Sequence, residues 1–134
     1  MNIIMRVLGA DAAAAQLLAA AAKVEVGIGE VVASQGAELQ TAIKAAASGR
    51  PGPNVITDAF RSGITLEVER GPGHAQAEVS SASPQANRLE FGFNGTDSLG
   101  RRYNQPPYPS FGPGFDAATP GFTAAVTAMV RAAL

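Results

Sequence analysis

The sequence predicts a single α+β domain. Its order is a long N-terminal helix, a small antiparallel sheet with a β-hairpin, a short helix, a long aromatic Pro/Gly loop and a C-terminal helix. Three observations carry this. Apolar positions recur every three or four residues across residues 11–48. Residues 64–70 and 75–81 alternate with period two around a Gly71-Pro72-Gly73-His74 turn. The length, 134 residues, suits one modest core spanning 1–134 but not two.

Taken in order, residues 2–8 contain Ile3, Ile4 and Val7 and read as a short strand or an arm, ended by Gly9. Asp11 is a candidate cap for a helix that starts in the alanine run. Leu17, Ala21, Val24, Ile28, Val31, Gln35, Leu39 and Ala42 then form one helical face, with Leu18, Val32 and Ile43 beside it. The competing pattern is Val24-Glu25-Val26-Gly27-Ile28-Gly29, which alternates as a strand does, and Gly27, Gly29 and Gly36 each cost a helix about 1 kcal/mol. One helix, bent at the glycines, is the preferred reading; a break near Gly27 that makes a helical hairpin is the alternative. Ser48-Gly49, followed by Pro51 and Pro53, stops it. At ~1.5 Å per residue, about 36 residues span ~54 Å, against a domain diameter near ~36 Å. The helix would overhang, and its stripe at Val24, Ile28 and Val31 would meet a second copy of the chain.

A rigid connector, Arg50-Pro51-Gly52-Pro53-Asn54, leads to the hairpin. There Ile64, Leu66 and Val68 share the buried face, with Thr65, Glu67 and Glu69 outside. Pro84 opens a short helix through Leu89 to Phe91. Residues 92–114 carry no periodic pattern, yet five of the eight aromatics fall between positions 93 and 115: Phe93, Tyr103, Tyr108, Phe111 and Phe115. Disordered segments are poor in aromatics, so this stretch reads as an interface loop that orders against a partner. Residues 119–134 read as the last helix, with Thr119 as cap and Pro120 at its first position.

Alanine supplies 27 of the 62 hydrophobic residues, so large apolar side chains are few and association would add stability. No apolar run approaches the ~20 residues that cross a bilayer, and Met1-Asn2-Ile3-Ile4-Met5-Arg6 does not read as the start of a signal peptide. A net charge of −1 disfavours a sequence-independent nucleic-acid binder; weak or no duplex binding is expected.

Chemistry-bearing sets are sparse. With no cysteine there is neither disulfide nor thiolate site. His74 is the sole histidine and reads as a solvated turn residue. Glu90 and Asp97 are candidates to meet a cation, but no Asp-rich calcium loop accompanies them. Gly27-Ile28-Gly29-Glu30-Val31-Val32 lacks the third glycine of a dinucleotide fingerprint. Neither a P-loop lysine nor a nucleophile-elbow serine is present. Asn94-Gly95-Thr96 fits a glycosylation sequon but reads better as a turn. The expectation is a protein that is not an enzyme, without catalytic, metal-binding or cofactor-binding residues. The basic doublet Arg101-Arg102 reads either as a solvated loop tip or as a contact to acidic groups of a neighbouring subunit or to passing DNA.

Leu89-Glu90-Phe91-Gly92 and, after it, Pro106-Pro107-Tyr108-Pro109-Ser110-Phe111-Gly112-Pro113-Gly114-Phe115-Asp116 stand between a hairpin and a last helix. This order resembles the small neck, or head–tail joining, proteins of long-tailed bacteriophages, also described as tail-completion or head–tail connector proteins. The first box fits the family's Leu/Val-Glu-Phe-Gly pattern. The second, at Pro109 and Pro113, departs from it: Ser110 separates proline from phenylalanine, and glycine replaces the usual alanine. The resemblance implies a structural virion protein at the head–tail junction, assembled in the host cytoplasm. It implies a homo-oligomeric ring that contacts neighbouring connector and tail-end proteins, with viral DNA passing through its channel without specific binding and no membrane involved. Val24, Ile28, Val31, Phe93, Arg101, Arg102, Tyr103, Tyr108, Phe111 and Phe115 are the candidate contact residues, and Phe91 is expected on the core side. A tail-terminator ring is the alternative within this class. A small ligand-binding module or enzyme, with the aromatic loop lining a pocket, is the alternative from another.

Overall fold

A computed structural model describes residues 2–7 and 21–133. The Gly9 break, the Asp11 cap and the helical positions Leu17 and Leu18 lie outside them. The described elements are β1 (Asn2–Val7), α1 (Ala21–Ala46), α2 (Ala59–Ser62), β2 (Ile64–Gly71), β3 (His74–Ser81), α3 (Ala86–Phe91), β4 (Phe93–Thr96), β5 (Arg102–Gln105) and α4 (Phe111–Ala133). The class is α+β, as the periodicities predict.

The sheet is antiparallel in the order β1-β3-β2. Its hairpin turns between Gly71 and His74, with Leu66 opposite Val79 and Val68 opposite Ala77. β1 completes it, Asn2 opposite Ser80 through to Val7 opposite Ala75. Ala75, Ala77, Val79 and Ile64 are buried on the inner face, and Leu66 is partly buried against the core. Val68 shares that face but stays 41% exposed, because β2 is an edge strand that the covering helix only partly shields.

α1 runs unbroken through Gly27, Gly29 and Gly36, so neither the strand alternative nor the helical hairpin holds. Val24, Ile28, Val32, Leu39, Ile43 and Ala47 are buried along it. Its 26 residues span about 39 Å, close to the diameter expected of the domain. The first ten residues of the expected helix lie outside the described residues, and the overhang expectation with them. Val24 and Ile28, expected at a subunit interface, are core residues at 3% and 5% exposure, and Val31 is partly buried beside them. They face inward because α1 is the central layer, with the sheet on one side and α4 on the other.

Small residues set both distances. A Cβ on Gly36 would sit 2.6 Å from the Ala77 Cβ, so the helix rests on β3 at this glycine. A Cβ on Gly114 would sit 2.7 Å from the Ile43 Cα and 2.8 Å from its amide nitrogen. Gly114 thus meets Ile43 at one end of the helix pair, and Gly27 meets Met129 at the other, which makes α1 and α4 antiparallel. The glycines that weaken α1 as an isolated helix are the ones that let it be sandwiched. Gly114→Ala should lower stability by about 1–3 kcal/mol, because backbone rather than a flexible side-chain end must move. Thermal unfolding followed by circular dichroism checks this through a midpoint several degrees lower.

α4 begins at Phe111, not at Thr119, and carries Pro120 inside it. Thr119 does not cap; its hydroxyl donates to the Phe115 carbonyl 2.8 Å away. Pro120 is solvent-exposed, where its ring meets no neighbouring layer, although it removes one helical hydrogen bond. No helix among the described residues is long and apolar enough to cross a membrane.

Candidate functional site

Leu89-Glu90-Phe91-Gly92 forms one half of a clasp. α3 turns Ala86, Leu89 and Glu90 to its inner side, at spacings of three and four, while Asn87, Arg88 and Phe91 face solvent. The Glu90 carboxylate then accepts three backbone N–H bonds from the start of α4. Oε1 takes the Ser110 and Phe111 amides at 3.0 and 2.9 Å, and Oε2 takes the Gly112 amide at 2.9 Å. The next residue, Pro113, has no N–H, and Gly114 already donates to the Ser110 carbonyl at 3.0 Å. Every amide that a helix start leaves without an intrahelical acceptor is thereby satisfied or absent, and a negative charge lies at the positive end of the helix dipole.

The rest of the box holds the returning chain. The Tyr108 amide donates to the Leu89 carbonyl at 2.6 Å. Gly92 has φ 78°, and a Cβ there would lie 2.7 Å from the Gln105 carbonyl oxygen, so this position requires glycine. Glu90 is accordingly a helix clamp and not a cation ligand.

Phe91 and Phe111 exchange the places the sequence suggests. Phe91 is 73% exposed, because Glu90 takes the inward direction and the next residue on a helix points about 100° away. Phe111, expected at an interface, is 1% exposed and packs in the core at the foot of α4.

Residues 93–105 are not a patternless loop. β4 and β5 pair from Phe93 opposite Gln105 to Thr96 opposite Arg102, so Asn94-Gly95-Thr96 is a strand and not a turn. Asp97 builds the tip. Its Oδ1 accepts the Leu99 and Arg101 amides, both at 2.9 Å, and its Oδ2 accepts the Arg101 guanidinium at 2.7 Å and the Tyr103 hydroxyl at 3.2 Å. The Phe93 and Tyr103 rings stand 6.2 Å apart, and the Arg88 guanidinium lies 3.9 Å from the Phe93 ring centre. No residue of this ribbon is buried, and Leu99 at its tip is 75% exposed. Arg101 and Arg102 are exposed and Tyr103 is 38% exposed.

Hydrogen bonds, first of all from the Arg101 amide, hold the Asp97 carboxyl below the ordinary aspartate value, with burial working in the opposite direction. A carboxylate with a depressed folded pKa adds stability that is complete above its unfolded pKa and is lost as pH falls through the folded one. The tip should therefore be ordered at neutral pH and loosen in acid. An NMR titration should show the Leu99 and Arg101 amides moving together with a midpoint below that of a free aspartate, and Asp97→Asn should abolish the transition.

The remaining aromatic candidates lie off the ribbon. Tyr108 is half-buried under the Arg50 guanidinium, 3.5 Å from its ring centre. Phe115 is 38% exposed and borders an apolar groove with Leu39 and Phe122. Pro109 is half-buried and Pro113 exposed. A cleft of about 240 Å³ opens beside Arg50, Phe60, Arg61, Leu89 and Tyr108, and another of about 340 Å³ beside Glu25, Gly29, Arg70 and His74. Among the described residues no three of His, Asp or Glu gather as metal ligands would. The site residues that sequence reasoning missed are Asp97 as organiser of the tip and Leu99 as its exposed apolar residue; the Asp97-Ser98-Leu99-Gly100 turn composition was the available signal.

No family model matches this chain, and neither a curated protein nor a solved structure shows significant similarity to it.

Proposed function

We propose that this protein is a structural subunit of a homo-oligomeric ring that joins a phage head to its tail and leaves an axial channel for DNA. The observation that carries this reading is the β4–β5 ribbon. It stands off the core with no buried residue, presents Leu99, Arg102 and Tyr103 to solvent, and is tied to the fold through the clasp next to it. Phe91, two residues before the ribbon begins, is exposed as well. Aromatic and arginine side chains on a projecting element suit recognition of a protein partner. The α1 stripe no longer contributes, since its residues are buried inside the subunit. The resemblance in the order of boxes supports the head–tail junction in particular.

Deleting the gene from the virus that encodes it tests the reading. Normal-length tails that fail to join filled heads are expected. Tails of uncontrolled length would assign a tail terminator instead, and undiminished infectious particles would refute both. Supplying Phe91→Ala to the deletion should restore head–tail joining poorly, while the purified variant keeps the wild-type thermal midpoint.

A further inference from the structure

Among the described residues no helix packs on the outer face of the three-stranded sheet. Thr65, Glu67 and Glu69 of β2 share it with Gln76, Glu78 and Ser80 of β3 and with Asn2, Ile4 and Arg6 of β1; Arg6 stands opposite Gln76, and Glu67 directly opposite Glu78. Like charges so placed repel. Among the side chains described, neither carboxylate is in an ion pair, and Glu69 has a 3.8 Å contact with His74. Three carboxylates against one arginine give this face an acidic excess.

The ribbon offers the opposite sign. Arg102 is exposed, without an ion-pair partner among the described residues, and Leu99 and Tyr103 lie exposed near it. A two-stranded hairpin is marginal in water without a surface to pack on. The ribbon and the sheet face are different surfaces of one chain. Pairing them joins copies head to tail, the kind of contact that closes a ring when its rotation closes. We infer that the β4–β5 ribbon of one copy docks, through Arg102 and Leu99, on the Glu67–Glu78 face of the next copy. This contact rests on the ring reading and gives it an interface.

Charge reversal tests it, with light scattering of the purified protein and of the protein bound to isolated tails. Arg102→Glu alone should dissociate the oligomer at concentrations at least tenfold above those at which the wild type dissociates. Glu67→Lys with Glu78→Lys should do the same. A one-to-one mixture of the two variants should reassemble, because each then supplies the surface that the other lacks, and a chain carrying all three changes should reassemble alone. Glu67→Lys relieves the facing carboxylates, so its thermal midpoint should equal or exceed the wild-type value, which separates lost assembly from lost folding. Wild-type rings that survive both reversals would overturn this contact and leave the ring reading standing. Rings that survive while tail binding is lost would assign the acidic face to a tail protein and overturn the contact equally. A wild type monomeric both alone and on tails would remove the ring reading and the contact with it.

Discussion

Phe111→Ala should unfold the subunit far more readily than Phe91→Ala, by about 3–5 kcal/mol against less than about 0.5 kcal/mol. The two phenylalanines belong to neighbouring boxes, yet their surroundings differ completely. Phe111 is 1% exposed and packs with the buried residues of α1, including Ile43 and Leu39. Its removal takes away apolar contact and leaves a cavity where the α1–α4 pair begins, and Gly114, one turn further on, has no side chain to fill it. Phe91 is 73% exposed and contributes little to the monomer. Against a domain stability of roughly 5–15 kcal/mol, the first change removes a large share of the total. Urea unfolding of both variants measures the difference at equilibrium. Equal losses would mean that Phe91 is covered in the free subunit, contrary to the structure.

Glu90→Ala is the second large effect, about 2–4 kcal/mol. The change leaves three amides at the start of α4 without an acceptor, in a half-buried position where water replaces it only in part. It also removes a negative charge from the helix N-terminus. Glu90→Gln should cost about half as much, since its carbonyl oxygen still reaches Ser110 and Phe111 while its amide group turns a donor toward the Gly112 N–H. Hydrogen exchange gives the local readout. In Glu90→Ala the Phe111 and Gly112 amides should lose protection before those of α1 do. Uniform loss across both helices would show that the clasp and the core open as one unit.

The same clasp explains where sequence reasoning stopped short. The hairpin was legible because both strands alternate and a Gly/Pro turn lies between them, and α1 was legible because its apolar spacing persists past three glycines. The start of α4 was not. Its cap comes from Glu90, 20 residues before Ser110, whereas a local reading looks for a cap within the first turn and finds Thr119-Pro120 instead. The inward face of α3 also depends on this polar contact. A hydrophobicity pattern places Phe91 inside, but the structure needs Glu90 there, and the two cannot point the same way. The ribbon was illegible for a different reason. Asn94 and Gly95 have little strand preference, and Asp97 organises the tip that joins the two strands. The candidate site was therefore half visible. Arg101 and Arg102 read as a doublet and Tyr103 as one of the loop aromatics, and all three are exposed on the ribbon, whereas the Val24–Ile28 stripe, which reads as a partner surface, is buried inside the subunit.

The most direct measurement is electron microscopy of the protein at the tail end, with hydrogen exchange of the ribbon amides recorded in the free and the assembled protein. The account predicts end-on views of a closed ring with a central opening, and amides between Asn94 and Asn104 that exchange faster than those of α1 in the free subunit and become more protected in the ring. Single, unassociated particles whose ribbon exchanges at the same rate with and without tails would contradict it.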